Sequence, residues 1–283
     1  MKLNFVKMHG LGNDFIIPEG QLPEGVDISY IARVLCDRHT GVGADGILLV
    51  LPSEIAEFKM RIINADGSEA EMCGNGIRCF AKYVYEEGKT KNTIFDIETL
   101  AGNIKPELIL ENGKVFKVKV NMDLPKYLNN ENEIIQNIES LEKDKIHKEL
   151  TLKSNDLEVT SFIMGVPHTM VFVDEIDFQQ VVNTGSEIEK NPEFINGTNV
   201  NFVEVINENE ISLSTWERGA GRTLACGTGS CASALASFYN GMTNNNVTVH
   251  LELGDLFIEI EENAVYMTGP AEYVFRGSIE IIS

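Results

Sequence analysis

The chain has 283 residues, 43% of them hydrophobic, and a formal net charge of −20. That length and hydrophobic share suit one large domain or two modest ones and exclude disorder throughout. The negative charge argues against nucleic-acid backbones and anionic membranes as partners, since both would repel it.

The opening stretch MKLNFVKMHGLGNDF lacks the long apolar core of a signal peptide. The longest apolar run, GILLVLP, is far short of a bilayer span. Five cysteines, an odd number, are therefore read as reduced cytoplasmic thiols and not as a disulfide framework.

In chain order, apolar–polar alternation between Gly, Asn, Asp and Pro breaks predicts the first strands at 3–8, 46–51, 58–65, 93–99 and 114–122. Further strands are predicted at 157–165, 168–173, 199–206, 210–217, 247–253, 256–262, 264–269 and 278–283. Helices are predicted over 28–39, 74–88, 178–190 and 227–241. Many strands with few helices is an α+β pattern, not a regular βαβ alternation. The charged stretch 129–150, poor in aromatics, reads as a solvated loop or amphipathic excursion without chemistry.

A weak internal repeat organises these elements. Cys73 and Cys226 are each followed by Gly, any residue, Gly and a helical run that closes fifteen residues on at Gly88 or Gly241. A strand pair follows each helix, and FVKMHGLGNDFII in the first half faces SFIMGVPHTMVFV in the second. Two similar halves would divide near residue 119, and such halves usually build their site at the seam.

The turns CGNG and CGTG have a specific physical meaning. Glycines let backbone approach a ligand, and the first peptide N–H groups of a helix point outward. With the helix dipole they suit a carboxylate or phosphate, and a thiol at the same point has its pKa lowered. A carboxylate held between two such turns would have a thiol on each face of its α-carbon, for proton removal from one side and return from the other. The scheme needs no cofactor, and no Walker lysine, strand–GxGxxG–helix unit or histidine-rich metal cluster is present in the sequence.

Other readings compete. Zinc held by Cys73 with Cys79, or by Cys226 with Cys231, has poor spacing and lacks ligand histidines nearby. A thiol–disulfide redox protein lacks the usual C-x-x-C. A phosphate-binding module leaves both cysteines unexplained. Cys36, Cys79 and Cys231 read as buried packing thiols.

Four stretches in order, HGLGNDF, NADGSEAEMCGNGIRCFAKY, GTNVNF and ERGAGRTLACGTGS, resemble the diaminopimelate epimerase family. The likeness runs from Lys7 to the closing TGPAEYVFRGSIEII. It implies two pseudo-symmetric α+β halves, each wrapping strands around a central helix, with the active site in the cleft between them. It also implies that the last strand returns to the first half, giving residues 1–119 plus 270–283 and residues 120–269.

The activity implied is cofactor-independent interconversion of LL- and meso-diaminopimelate, for lysine and cell-wall precursor synthesis. Cys73 and Cys226 match the catalytic cysteines, and His168 and Glu217 match positions that tune them. Gly74, Asn75, Gly227 and Thr228 match the cradle for the reacting carboxylate. Asn13, Asn64, Asn199, Glu217 and Arg218 match residues that hold the substrate. No metal is implied, and the resemblance admits a homodimer.

Two positions depart from the family pattern: Val166 in GVPH, where Asn is frequent, and Gly46 after GVGAD, where some members have Gln. A racemase of another amino acid on the same fold, acting on lanthionine or histidine, is the alternative.

Overall fold

The computed structural model describes residues 2–281 apart from 21, 23, 24, 131, 134, 154 and 155. It divides into two compact units, residues 1–120 with 269–283 and residues 121–268. Among the described residues no helix is long and apolar enough to cross a membrane.

The first unit begins with β1 (Lys2–Gly10) and β2 (Asn13–Glu19), paired antiparallel. Leu11 (φ 55°) and Gly12 (φ 89°) form their turn, both in the left-handed region that a two-residue hairpin of this twist requires. Leu11 is an unusual residue for that conformation, and its burial offsets the strain. The turn sets Asn13 at the head of β2.

Helix α1 (Ile28–Cys36) then carries the chain to β3 (Gly46–Leu51), parallel to β2. Strand β4 (Phe58–Asn64) returns antiparallel and pairs with the short β5 (Glu69–Ala70). Helix α2 (Gly74–Glu86) crosses to β6 (Ile97–Thr99), parallel to β4, and β7 (Gly102–Ile104) folds back on β6. Strands β8 (Glu107–Glu111) and β9 (Lys114–Asn121) form a further hairpin. The late strand β19 (Glu272–Glu280) lies antiparallel to the outer side of β1.

The second unit repeats this order. A 3-10 turn (Ile138–Ser140) and the one-turn α3 (Lys143–Ile146) lead into β10 (His147–Thr151), which pairs antiparallel with β11 (Asp156–Met164). Strand β12 (Val166–Val173) completes a hairpin with β11, and α4 (Phe178–Glu189) leads to β13 (Asn199–Asn207), parallel to β12. Strand β14 (Glu210–Glu217) is antiparallel to β13 and carries the short β15 (Gly221–Thr223). Helix α5 (Gly227–Tyr239) crosses to β16 (Asn246–Leu251), parallel to β14. Strands β17 (Gly254–Glu261) and β18 (Ala264–Gly269) follow antiparallel.

Apart from the β8–β9 hairpin and the β17–β18 pair, each relation in one unit thus has its counterpart in the other. Strand β19 corresponds to β10, β1–β7 to β11–β17, α1 to α4, and α2 to α5.

Each sheet is covered by its crossover helices. Ile31 and Leu35 of α1 pack with Phe5, Ile16, Ile47 and Ile63, while Val181 and Ile188 of α4 pack with Val159, Val171, Val200 and Phe202. Helices α2 and α5 are buried for most of their length, so each has strands around it. In α5 the buried hydroxyls of Ser230 and Ser237 donate to carbonyls four residues back, 2.9 and 2.8 Å away, so their burial leaves no lost hydrogen bond. In α2 the buried Lys82 donates to the carbonyl of Val115 at 2.6 Å. Both helices stop where Gly88 (φ 67°) and Gly241 (φ 72°) take the left-handed closing conformation.

Three expectations need correction. Of the two readings of the stretch 129–150, the solvated loop fails and the amphipathic excursion fits: Ile135, Ile138, Leu141, Ile146 and Leu150 are buried among exposed polar residues, and its end is β10. The expected strand 93–99 shrinks to β6, preceded by an isolated bridge between Ile94 and Glu107. The expected strand 278–283 is instead β19, starting at Glu272, and residues 282 and 283 lie outside the described residues. Strands β2, β5, β7, β8, β10 and β15 fall outside the predicted strands, and β2 runs through Pro18. Pro18 is tolerated because β3 pairs with β2 only at Phe15 and Ile16, so no partner there needs its missing N–H.

Candidate active site

In the first unit, Cys73 is the cap residue of α2, in extended conformation, and its sulfur accepts the backbone N–H of Gly76 at 3.5 Å. The Cys73 thiol donates to Asn13 Oδ1 at 3.5 Å, and Asn75 Nδ2 donates to the same oxygen at 3.1 Å. Asn13 Nδ2 donates to Asp45 Oδ2 at 2.7 Å. Behind Asp45, Arg38 grips Asp14 with both terminal nitrogens (3.1 and 2.8 Å), and Lys7 lies 2.8 Å from Asp14. Burial alone would raise the Asp14 pKa, but Arg38 and Lys7 outweigh it and hold the carboxyl below its ordinary value.

The second turn of α2 holds Arg78, which is fully buried. It donates to the Gly74 carbonyl at 3.2 Å, to Asn75 Oδ1 at 2.9 Å and to the Pro270 carbonyl at 3.1 Å. Asn75 is thereby fixed on both sides, its Oδ1 by Arg78 and its Nδ2 by Asn13.

In the second unit, Cys226 caps α5 in the same extended conformation. Its sulfur lies 3.6 Å from Thr228 Oγ1, which is 3.0 Å from His168 Nε2. His168 Nδ1 is 3.0 Å from Asn201 Nδ2, and Thr215 Oγ1 donates to Asn201 Oδ1 at 3.0 Å. His168 is fully buried, and that desolvation lowers its pKa to about 3, so the ring is neutral. Neither α2 nor α5 has an acidic side chain in its first turn, which leaves the positive helix ends without an internal counter-charge.

The second glycine of each turn answers to packing. A Cβ on Gly229 would come within 2.5 Å of Asn201 Oδ1 and 3.2 Å of Cys226 Sγ. On Gly76 it would press on Leu48 at 3.3 Å, a milder restriction.

The remaining sequence-derived residues are spread around these two clusters. Asn199 pairs with His168 across β12 and β13, and its Oδ1 accepts the backbone N–H of Arg218 at 2.8 Å. Arg218 is exposed, with one guanidinium nitrogen on the Asn196 carbonyl at 2.6 Å. Glu217 Oε1 accepts the Thr223 hydroxyl at 2.5 Å. Asn64 sits opposite Gly46 and donates to Ser68 Oγ at 3.0 Å, apart from the Cys73–Asn13 contacts. Gly227 opens α5, and Val166, at the start of β12, is exposed.

Cys36, Cys79 and Cys231 are buried. Burial pushes the thiols of Cys36 and Cys79 up to about 12, so they stay protonated. Sequence reasoning missed Asp45, Arg78, Asn201 and Thr215. A polar Asn201 inside the apolar strand NVNFVEVI was the one available signal.

The sequence profile of the diaminopimelate epimerase family matches residues 5–128 and 160–274. A diaminopimelate epimerase of Halothermothrix orenii is 50% identical, covering 99% of this chain and 99% of that protein. One of Caldanaerobacter subterraneus subsp. tengcongensis is also 50% identical over 99% of this chain and 100% of its own length. Among solved structures, a phenazine biosynthesis protein of the PhzF family from Bacillus anthracis matches with TM-score 0.72 at 17% identity, covering 99% of this chain and 100% of that one. A hydroxyproline epimerase from Agrobacterium vitis matches with TM-score 0.68 at 16% identity, over 98% and 92% of the two chains. The structural likenesses carry the fold alone. With half of all residues identical over full length, the chain belongs to the diaminopimelate epimerase family.

Proposed function

We propose that this protein is a cofactor-independent diaminopimelate epimerase, inverting one α-carbon between the LL and meso forms to supply lysine and cell-wall precursors in the cytoplasm. The observation that carries the reading is the matched pair of cysteine-capped helices, Cys73 on α2 and Cys226 on α5, in a chain of this family.

Each thiol serves one face of the α-carbon. One sulfur, as thiolate, takes the α-proton, and the electron pair left behind spreads into the carboxylate. The other sulfur, as thiol, returns a proton to the opposite face, so the two cysteines exchange protonation states in each turnover. The substrate carboxylate is held at the helix N-termini, where peptide N–H groups and the dipole offset the developing charge. Asn64, Asn199, Glu217 and Arg218 are assigned to the substrate's far amino-acid end. Arg suits a carboxylate there, and Glu and Asn oxygens accept from an ammonium.

Turnover in deuterated water tests this reading. LL-Diaminopimelate should give product with one α-deuterium at the inverted centre while recovered substrate carries little at early times. Rapid label in both pools would point to a single shared base and overturn the two-thiol scheme. An inert diaminopimelate with turnover of a one-headed amino acid would overturn the substrate.

A further inference from the structure

We propose that Asn201 is a positioning residue that fixes the tautomer of His168, so that a directed chain of hydrogen bonds, Asn201 to His168 to Thr228, ends on the sulfur of Cys226 and favours its thiolate. The inference deepens the assignment of Cys226 as an acid–base group and rests on that reading.

The direction of each link follows from the chemistry of its partners. The amide of Asn201 has a donor end and an acceptor end. Its Nδ2 lies 3.0 Å from His168 Nδ1 and 3.8 Å from the thioether sulfur of Met170, which can only accept. Its Oδ1 takes the hydroxyl hydrogen of Thr215 at 3.0 Å. Reversing the amide would set its oxygen against the Met170 sulfur. The donor end therefore faces the ring, and Nδ1 must accept.

A neutral imidazole has one N–H, and with Nδ1 accepting it sits on Nε2. Buried and lowered to about 3, the ring does not take a second proton at neutral pH. The Nε2–H then donates to Thr228 Oγ1 at 3.0 Å. Thr228 has a single hydroxyl hydrogen, which turns to Cys226 Sγ at 3.6 Å. A sulfur that receives a donated hydrogen is better as thiolate than as thiol. Gly229 leaves the room in which Asn201 sits, because a Cβ there would come within 2.5 Å of its Oδ1.

Two measurements test the chain, and neither needs turnover, so its failure is separable from failure of the epimerase reading. Two-bond proton–nitrogen NMR spectra of the wild-type protein should show His168 protonated on Nε2 and bare on Nδ1. A ring protonated on Nδ1, or on both nitrogens, overturns the proposal.

The second measurement is the rate of Cys226 alkylation by iodoacetamide at neutral pH, read by mass spectrometry with Cys73 as internal reference. Asn201→Leu and Thr228→Val should each slow Cys226 about three- to tenfold relative to Cys73, the worth of one hydrogen bond expressed as a thiolate fraction. Thr228→Ser should restore the rate. Because both changes break one chain, the double variant should be no slower than either single one. Unchanged rates, or losses that multiply in the double variant, overturn it.

Discussion

Asp45 Oδ2 takes the amide hydrogen of Asn13 at 2.7 Å, and this decides which end of Asn13 faces Cys73. A carboxylate can only accept, so Nδ2 points to Asp45 and Oδ1 is left for the Cys73 thiol and Asn75. Asp45→Asn removes that constraint and lets the Asn13 amide turn over. The expected result is a fall in kcat/KM of up to about tenfold, the worth of one hydrogen bond. Steady-state kinetics on diaminopimelate check it, with circular dichroism to confirm that the fold is intact.

The cysteines should separate into two classes. If the proposed two-thiol scheme holds, Cys73→Ala and Cys226→Ala should each lower turnover by several orders of magnitude, because each sulfur would be base in one direction and acid in the other. Cys79→Ala should leave kcat near wild type and cost about 1 kcal/mol of stability, since a fully buried thiol held up to about 12 only packs. Kinetics in both directions and urea denaturation distinguish the outcomes.

His168 predicts the acid side of the stability profile. Its folded pKa, about 3, lies below the ordinary 6.5, so below pH 6.5 the unfolded chain binds a proton that the folded chain refuses. The contribution is whole above 6.5 and is lost as pH falls toward 3, at up to about 1.4 kcal/mol per pH unit. His147, lowered mainly by burial, adds a loss of the same sign. His168→Gln should therefore flatten the fall between pH 6.5 and 5 without abolishing it, as urea midpoints at the two pH values would record.

Val166 predicts substrate tolerance. An apolar side chain at this exposed position offers no hydrogen bond where the family often has Asn. Diaminopimelate should remain a substrate, and its thioether analogue lanthionine should be accepted as well. Val166→Asn should lower KM for diaminopimelate by up to about tenfold, the value of one added hydrogen bond, with kcat unchanged. Kinetics with both compounds decide it.

The two helices and their cysteines were legible because a capping thiol, glycine turn and closing glycine are local signals, all within fifteen residues of each other. The alternation of β3, β14 and β18 was equally plain, and each strand has the predicted bounds. What escaped was non-local. Asn13 depends on an aspartate 32 residues away, and His168 on an asparagine 33 residues away, pairings made only by strand register. In 129–150 the charges masked the apolar positions 135, 138, 141, 146 and 150, whose irregular spacing matches neither a helix nor a strand.

The place of β19 bears on how the chain acquires its fold during synthesis. The outer partner of β1 is made after every residue of β10 through β18. On the ribosome the second unit can therefore complete its sheet, edge strand included, while β1 still exposes one side. The unit begun first is finished last, and during that interval Leu3 and Phe5 lack the core contacts that the late Ile279 and Ile281 bring, while the bare edge of β1 is open to aggregation or to a chaperone.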